Sequence, residues 1–303
     1  MKNIKKIISA MLSGAMALTI CASAALTVSA AEPYQEFESR YEPDQTVAQN
    51  SSFSDSELLP YSGLKNGSYS YVAGNFNSNE NYTDTEDYYR FGLGSSDGSN
   101  GRIAIKLEGI PVGHNYDLYL FDENQNLVAS SKRLSNKNEI IKTPAISKYT
   151  SYYILVKAET VTDYVPTSYR LSVCDYIAEV TKSKVGLSPV TLNTSPDQWS
   201  TDAYRDMTSL PEDAVVLKAT ISATKSSSSK AYNNILRVKL GNGAYETVTW
   251  KSGEIEIPGL IGQNCSCYWY AGFTGSVLTS TPLISMSSFK MTVTYEYDKL
   301  ADY

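Results

Sequence analysis

The side chains best suited to recognition chemistry in this chain are aromatic. Tyr268, Trp269 and Tyr270 are consecutive, so a strand there must show an aromatic on each face. Cys265, Cys267 and Trp269 share one face, and Tyr268 and Tyr270 share the other. Cysteine favours the interior, which puts Trp269 in the core and both tyrosines outward. Side chains two apart on a strand stand about 7 Å apart, a spacing that suits a stacking platform for a sugar chain or an extended peptide. Trp199 and Trp250 are further aromatic candidates.

Catalytic patterns are weaker. Gly94-Ser95-Ser96-Asp97-Gly98 satisfies Gly-x-Ser-x-Gly, but that pattern works on a strand-to-helix turn with a histidine partner. Here it falls between two strand patterns. The single histidine, His114, precedes a strand and reads as an exposed loop residue. Asp122-Glu123-Asn124-Gln125-Asn126 spaces oxygens like the start of a calcium loop, yet Leu127 stands where such a loop needs Gly and Arg133 where it needs Glu. A hairpin turn is the expectation. Glu254 and Glu256 are the paired carboxylates from which a glycoside hydrolase site would be built. They alternate with Ile255 and Ile257 and read as the wet face of a strand.

The elements that must position these residues are strands. Tyr89, Phe91 and Leu93 alternate with polar or small residues, and so do Ile103, Ile105 and Leu107. Tyr116, Leu118 and Leu120 follow, then Ile154 and Val156, then Tyr169, Leu171 and Val173. Later come Val215, Leu217, Ala219 and Ile221, then Leu236, Val238 and Leu240, and finally Phe289, Met291, Val293, Tyr295 and Tyr297. This period of two, punctuated by Gly, Asn, Asp and Ser, predicts an all-β chain of two antiparallel, jelly-roll-like β-sandwich domains. Lys106 and Arg90 fall on the outward side of that pattern. Residues 31–60 read as an extended lead-in, 61–178 as the first sandwich and 214–303 as the second. Residues 179–213, with Pro189, Pro196 and Pro211 among Ser, Thr and Asp, read as a linker.

The start of the chain reads as an export signal over residues 1–30. Lys2, Lys5 and Lys6 precede an uncharged apolar run, and Val28-Ser29-Ala30 offers small residues for cleavage. The expected localisation is therefore secreted and extracellular. The whole chain has 26 basic and 32 acidic side chains. Loss of the three signal lysines leaves 23 against 32, a net charge near −9, which argues against nucleic acid and anionic membranes as partners. Cys21 leaves with the signal. The remaining Cys174, Cys265 and Cys267 are an odd set, read as free thiols or as one bridge with one thiol left over.

Residues 42–174 resemble the bacterial pre-peptidase C-terminal domain family. Three motifs carry the match: Glu42-Pro43-Asp44-Gln45-Thr46-Val47-Ala48-Gln49, Asp84-Thr85-Glu86-Asp87-Tyr88-Tyr89-Arg90-Phe91, and Tyr116-Asp117-Leu118-Tyr119-Leu120-Phe121-Asp122. The closing strand Tyr169-Arg170-Leu171-Ser172-Val173 follows in the expected place. The resemblance implies a small β-sandwich that accompanies secreted peptidases as an accessory or binding module. It also implies a calcium site between the lead-in and an early strand, with Glu42, Asp44, Asp84, Glu86 and Asp87 as its ligands. The expected function is that of a secreted, non-enzymatic binding or accessory protein meeting an extracellular protein or glycan, with Tyr268 and Tyr270 as contact residues. The alternatives are a secreted hydrolase whose site lies in the C-terminal region and a structural or inhibitory partner of a separate protease.

Overall fold

The computed structural model describes residues 35–38, 50–59, 70–74, 76, 84–94, 101–160, 168–225, 231–277 and 283–303. The expected export signal (residues 1–30), Glu42, Asp44 and Ser95–Gly98 lie outside the described residues. The chain forms two compact units, Met1–Cys174 and Asp175–Tyr303. Each is all-β, and among the described residues no helix is long and apolar enough to cross a membrane.

The first unit runs through β1 (Gln35–Glu38), β2 (Glu57–Leu58), β3 (Ser70–Gly74), β4 (Glu86–Gly92) and β5 (Ala104–Glu108). It continues through β6 (Asn115–Phe121), β7 (Leu127–Ser131), β8 (Glu139–Lys142), β9 (Ser151–Thr160) and β10 (Tyr169–Cys174). One sheet has the order β1-β3-β10-β5-β8 and the other β2-β4-β9-β6-β7. Pairing is antiparallel except for β1 with β3 and β2 with β4. Leu171 lies opposite Leu107 and Val72, and Ile154 lies opposite Tyr89 and Leu120. The inward residues of both sheets merge into one core, in which Tyr89, Phe91, Ile103, Ile105, Leu118, Leu120 and Leu171 are buried, as the alternation requires. Each such side chain contributes roughly 1.5–3 kcal/mol by leaving water.

Two expectations for this unit need correction. Lys106 is not on a wet face. It is 3% exposed, with its ammonium 3.4 Å from Glu108; β5 is covered on both sides, and a cation is tolerated there because a carboxylate neutralises it. His114 is also buried, because its ring packs edge-on against Tyr116, with Nδ1 3.4 Å from the tyrosine hydroxyl.

The second unit comprises β11 (Ile177–Gly186), β12 (Thr191–Thr194), β13 (Ala203–Asp206), β14 (Val215–Lys225) and β15 (Ala231–Leu240). β16 (Glu246–Thr249), β17 (Glu254–Glu256), β18 (Tyr268–Val277) and β19 (Ile284–Asp298) complete it. One sheet has the order β11-β19-β14-β17, with β12 also on β19; the other has the order β13-β18-β15-β16. Every pairing is antiparallel. Their inner faces close over Trp269, Phe273, Phe289, Met291 and Val293.

Residues 179–213, expected as a linker, instead hold most of β11 and all of β12 and β13. The side chains of β11 are mostly exposed, so the strand carries no apolar alternation. Its ladder to β19 defines it, satisfying backbone groups that a linker would leave to water. Pro189, Pro196 and Pro211 fall between strands or after them, where a missing N–H costs no ladder bond. Leu217 was expected inward with Val215 but is exposed, while Val216 is buried. The pairing of β14 with β19 shifts between Val216 and Lys218; this bulge reverses the faces on its N-terminal side.

Candidate functional site

The outer face of the β13-β18-β15-β16 sheet gathers the aromatic candidates. Trp269 is fully buried and its indole N–H donates to the Cys265 carbonyl at 2.9 Å. Strand alternation then turns Tyr268 and Tyr270 outward. Tyr268 is 39% exposed and Tyr270 is partly exposed. Their ring centroids lie 6.2 Å apart at 29°. Cys265 is buried, Cys267 is half-buried, and neither is in a disulfide. Desolvation pushes the Cys265 thiol up to about 11, the behaviour of an inert core thiol.

Neighbouring strands extend the face. Tyr204 on β13 sits opposite Tyr270, its ring 6.3 Å from Tyr268 and 6.5 Å from Tyr270. On the other side of β18, Lys239 lies opposite Tyr270, its ammonium 4.9 Å from that ring and 4.8 Å from the ring of Tyr245. Arg237 lies opposite Gly272. Its guanidinium crosses the bare glycine to reach Asp202, with Nη2 donating to Oδ1 at 2.8 Å and Nε at 3.1 Å. Nη2 also donates to the Ser200 carbonyl at 2.9 Å. The ring of Trp199 stands 4.9 Å and that of Tyr245 4.5 Å from the guanidinium carbon, and the Tyr245 hydroxyl donates to the second Asp202 oxygen. Desolvation and then Asp202 raise the Tyr245 phenol. At the far end Tyr268 hydrogen-bonds Asp206, which raises the phenol further. Asp206 itself is held below the usual carboxylate range by the Thr208 backbone and hydroxyl. A hollow of about 410 Å³ adjoins this end, lined by Ser188, Tyr204, Arg205, Asp206, Thr208 and Ser209.

Tyr268 and Tyr270, read as outward from the sequence, do turn outward, and Trp199, a further candidate, is exposed. Trp250, the other candidate, is buried and donates its N–H to the Gly253 carbonyl. Tyr204, Tyr245, Arg237 and Lys239 were missed. Tyr204, Arg237 and Lys239 lie on strands that flank β18, and Tyr245 lies just before β16; strand order is absent from local periodicity.

The acidic candidates of the first unit separate. Asp84 and Asp87 are both buried. Asp87 is pushed well above the usual carboxylate range by burial and by the charges of Asp84 and Glu57, against hydrogen bonds from Tyr169 and Asn50. The Tyr169 hydroxyl, which donates to Asp87, also bonds the Tyr89 hydroxyl at 2.6 Å. Glu86 does not join this group. One residue from Asp87 on β4, it faces the other way and accepts from Tyr88. Buried Glu57 takes its place, a residue the sequence did not single out.

The remaining candidates have structural partners. Asp122 closes the β6–β7 hairpin by accepting from the N–H groups of Asn124 and Asn126. Glu254 and Glu256 are exposed, and Glu256 pairs with Lys218 at 2.9 Å. A hollow near Glu212, Asp213, Asp298 and Asp302 is acidic, but Asp213 and Asp298 accept backbone N–H groups there.

No family model and no curated protein matches the chain. Among solved structures, it is similar to the pre-peptidase C-terminal domain of collagenase from Bacillus anthracis, at 22% identity over 39% of this chain and 93% of that one, with a TM-score of 0.28. Tandem CBM51 modules of a family 98 glycoside hydrolase from Streptococcus pneumoniae match at 7% identity over 67% of this chain and 80% of that one, with a TM-score of 0.24. PNGase F, a glycosylasparaginase from Flavobacterium meningosepticum, matches at 10% identity over 74% and 94%, with a TM-score of 0.24.

Proposed function

We propose that the chain is a secreted, non-enzymatic binding or accessory protein that presents its second unit to an extracellular polymer, glycan or protein. The observation that carries this reading is the exposed aromatic face, in which Tyr204, Tyr268 and Tyr270 touch ring to ring. Exposed aromatics have an apolar body and a polar tip, and their contiguity on one sheet face is costly in water unless a ligand covers them. The test is the double substitution Tyr268→Ala with Tyr270→Ala, in a binding screen against matrix proteins and glycans. Binding should fall at least about tenfold while stability changes by less than about 1 kcal/mol. A loss of roughly 3–5 kcal/mol would mean that the rings serve packing; unchanged binding by a folded variant would end the reading.

We also propose a calcium role for the first unit. The donors Asp84, Asp87 and Glu57 are hard oxygens, which calcium prefers; Asp87 is lifted first by burial and then by the charges of Asp84 and Glu57, and a cation would offset both. Among the described residues no three such side chains converge in a metal-holding arrangement. The lead-in residues Glu42 and Asp44 would have to complete the set. The chemistry supplied would be structural, tying the lead-in to β4.

A further inference from the structure

We propose that the aromatic face of the second unit selects glycan chains bearing carboxylates, and that Lys239, a local cation on a chain whose overall acidity repels polyanions elsewhere, is the residue that reads the charge. This deepens the binding reading above and rests on it. Among the described residues the face holds two cations with an aromatic ring beside them, and they are not equivalent. Arg237 is neutralised by Asp202 through two hydrogen bonds and donates a third to Ser200, so its charge is committed to holding Trp199 and Tyr245 in place. Lys239 makes no ion pair among the described residues. Its ammonium stands between the rings of Tyr270 and Tyr245, 4.9 and 4.8 Å from their centroids. A half-buried cation held by aromatic faces has lost part of its hydration and gained only quadrupole attraction in return. A carboxylate from a ligand lying on those rings would complete it with a charge-assisted hydrogen bond.

The form of the face favours a glycan over a peptide. On the flat of a sheet every interior backbone group already pairs with a neighbouring strand, so an extended peptide finds no ladder to join. Among the described residues the face offers aromatic rings, phenol hydroxyls, the Lys239 ammonium and, at the Tyr268 end, the Asp206 carboxylate. A sugar ring presents C–H groups on its face and hydroxyls around its edge, which matches that offer. The charge is also placed asymmetrically. Asp206 sits by Tyr268 at one end and Lys239 by Tyr270 toward the other, so a bound acidic unit is directed to the Lys239 side.

The experiment uses the full chain against immobilised polygalacturonate, hyaluronate and a sialyllactose conjugate, each paired with its carboxyl-methyl-esterified form. Esterification removes the charge and leaves the rings to stack. At least one acid form should bind, and its ester should bind about tenfold more weakly. Lys239→Met should erase that gap, Lys239→Arg should keep it, and rising salt should narrow it in the unmodified chain. The salt series needs no variant, so it decides the matter even if Lys239→Met folds poorly. Equal binding of acid and ester overturns the inference, and the binding reading still stands if the double tyrosine variant loses both. Lys239-dependent binding of poly-glutamate as tight as that of any glycan overturns it in favour of an acidic polypeptide. Binding to no glycan also overturns it, and the matrix-protein arm with the double tyrosine variant then judges the reading alone.

Discussion

At the residue scale the first unit turns on Asp87. Its carboxyl is fully buried, accepts from the Tyr169 hydroxyl, and is raised by burial first, then by Asp84 and, more weakly, Glu57. An acid whose folded value lies above its unfolded one keeps its proton in the native state after the unfolded chain has lost it. Stability from this group is therefore complete below the unfolded value, about 3.9, and falls as pH rises toward the folded value, by at most about 1.4 kcal/mol per pH unit. Asp87→Asn can still accept from Tyr169 but does not titrate. The stability of the unmodified chain relative to this variant should decline as pH rises above about 4; a constant difference across melts from pH 4 to 8 would contradict the assignment. Calcium requires the carboxylate, so it should release a proton on binding and raise the melting temperature more at higher pH. A melting temperature unmoved between millimolar calcium and excess chelator would count against the calcium role.

At the element scale β18 does two jobs, and Gly272 is where they meet. One face of the strand carries Trp269 and Phe273-side core; the other carries Tyr268 and Tyr270 and then leaves a gap. A Cβ at Gly272 would stand 2.7 Å from Asp202 Oδ1 and 2.9 Å from Arg237 Nε. Both atoms belong to side chains rather than backbone, so Gly272→Ala should leave the sheet intact and displace the ion pair. The expected stability loss is about 1 kcal/mol, that of a partly exposed pair. Binding should suffer more, because Trp199 and Tyr245 pack on that guanidinium. Thermal melting and binding measured on one preparation separate the two effects, and a variant that melts several kcal/mol lower with binding intact would refute this account of the glycine.

At the scale of the whole molecule the two units have separate cores. Among the described residues each strand of the second unit finds its ladder partners within that unit, and its buried cluster runs from Leu187 to Tyr295. Residues 175–303 expressed alone should therefore fold cooperatively, with stability in the usual range of roughly 5–15 kcal/mol, and should bind whatever the full chain binds through Tyr268 and Tyr270. Dispersed amide resonances and a single melting transition check the first point. A collapsed state without fixed near-ultraviolet dichroism would disprove it.

The sequence by itself determined the all-β class and the inward face of most strands, because period-two burial is a local property that each strand carries in its own residues. Tyr89, Phe91, Leu118 and Leu171 were legible in this way, and so was the choice of Trp269 for the core with Tyr268 turned out. Tertiary structure decided the rest. Strand order brought Tyr204, Lys239 and Arg237 beside Tyr270 and Gly272, and order is set by non-local pairing. The edge strand β11 showed no alternation to read, since most of its side chains are exposed and Val180 and Val185 pack on the core only in part. The bulge at Leu217 depends on two partners keeping different counts. The charge of Glu57 reaches Asp87 because β2 pairs with β4, while Glu86, the neighbour of Asp87 in sequence, was turned away by the pleat. The core was written locally; the candidate sites arise where distant strands become neighbours.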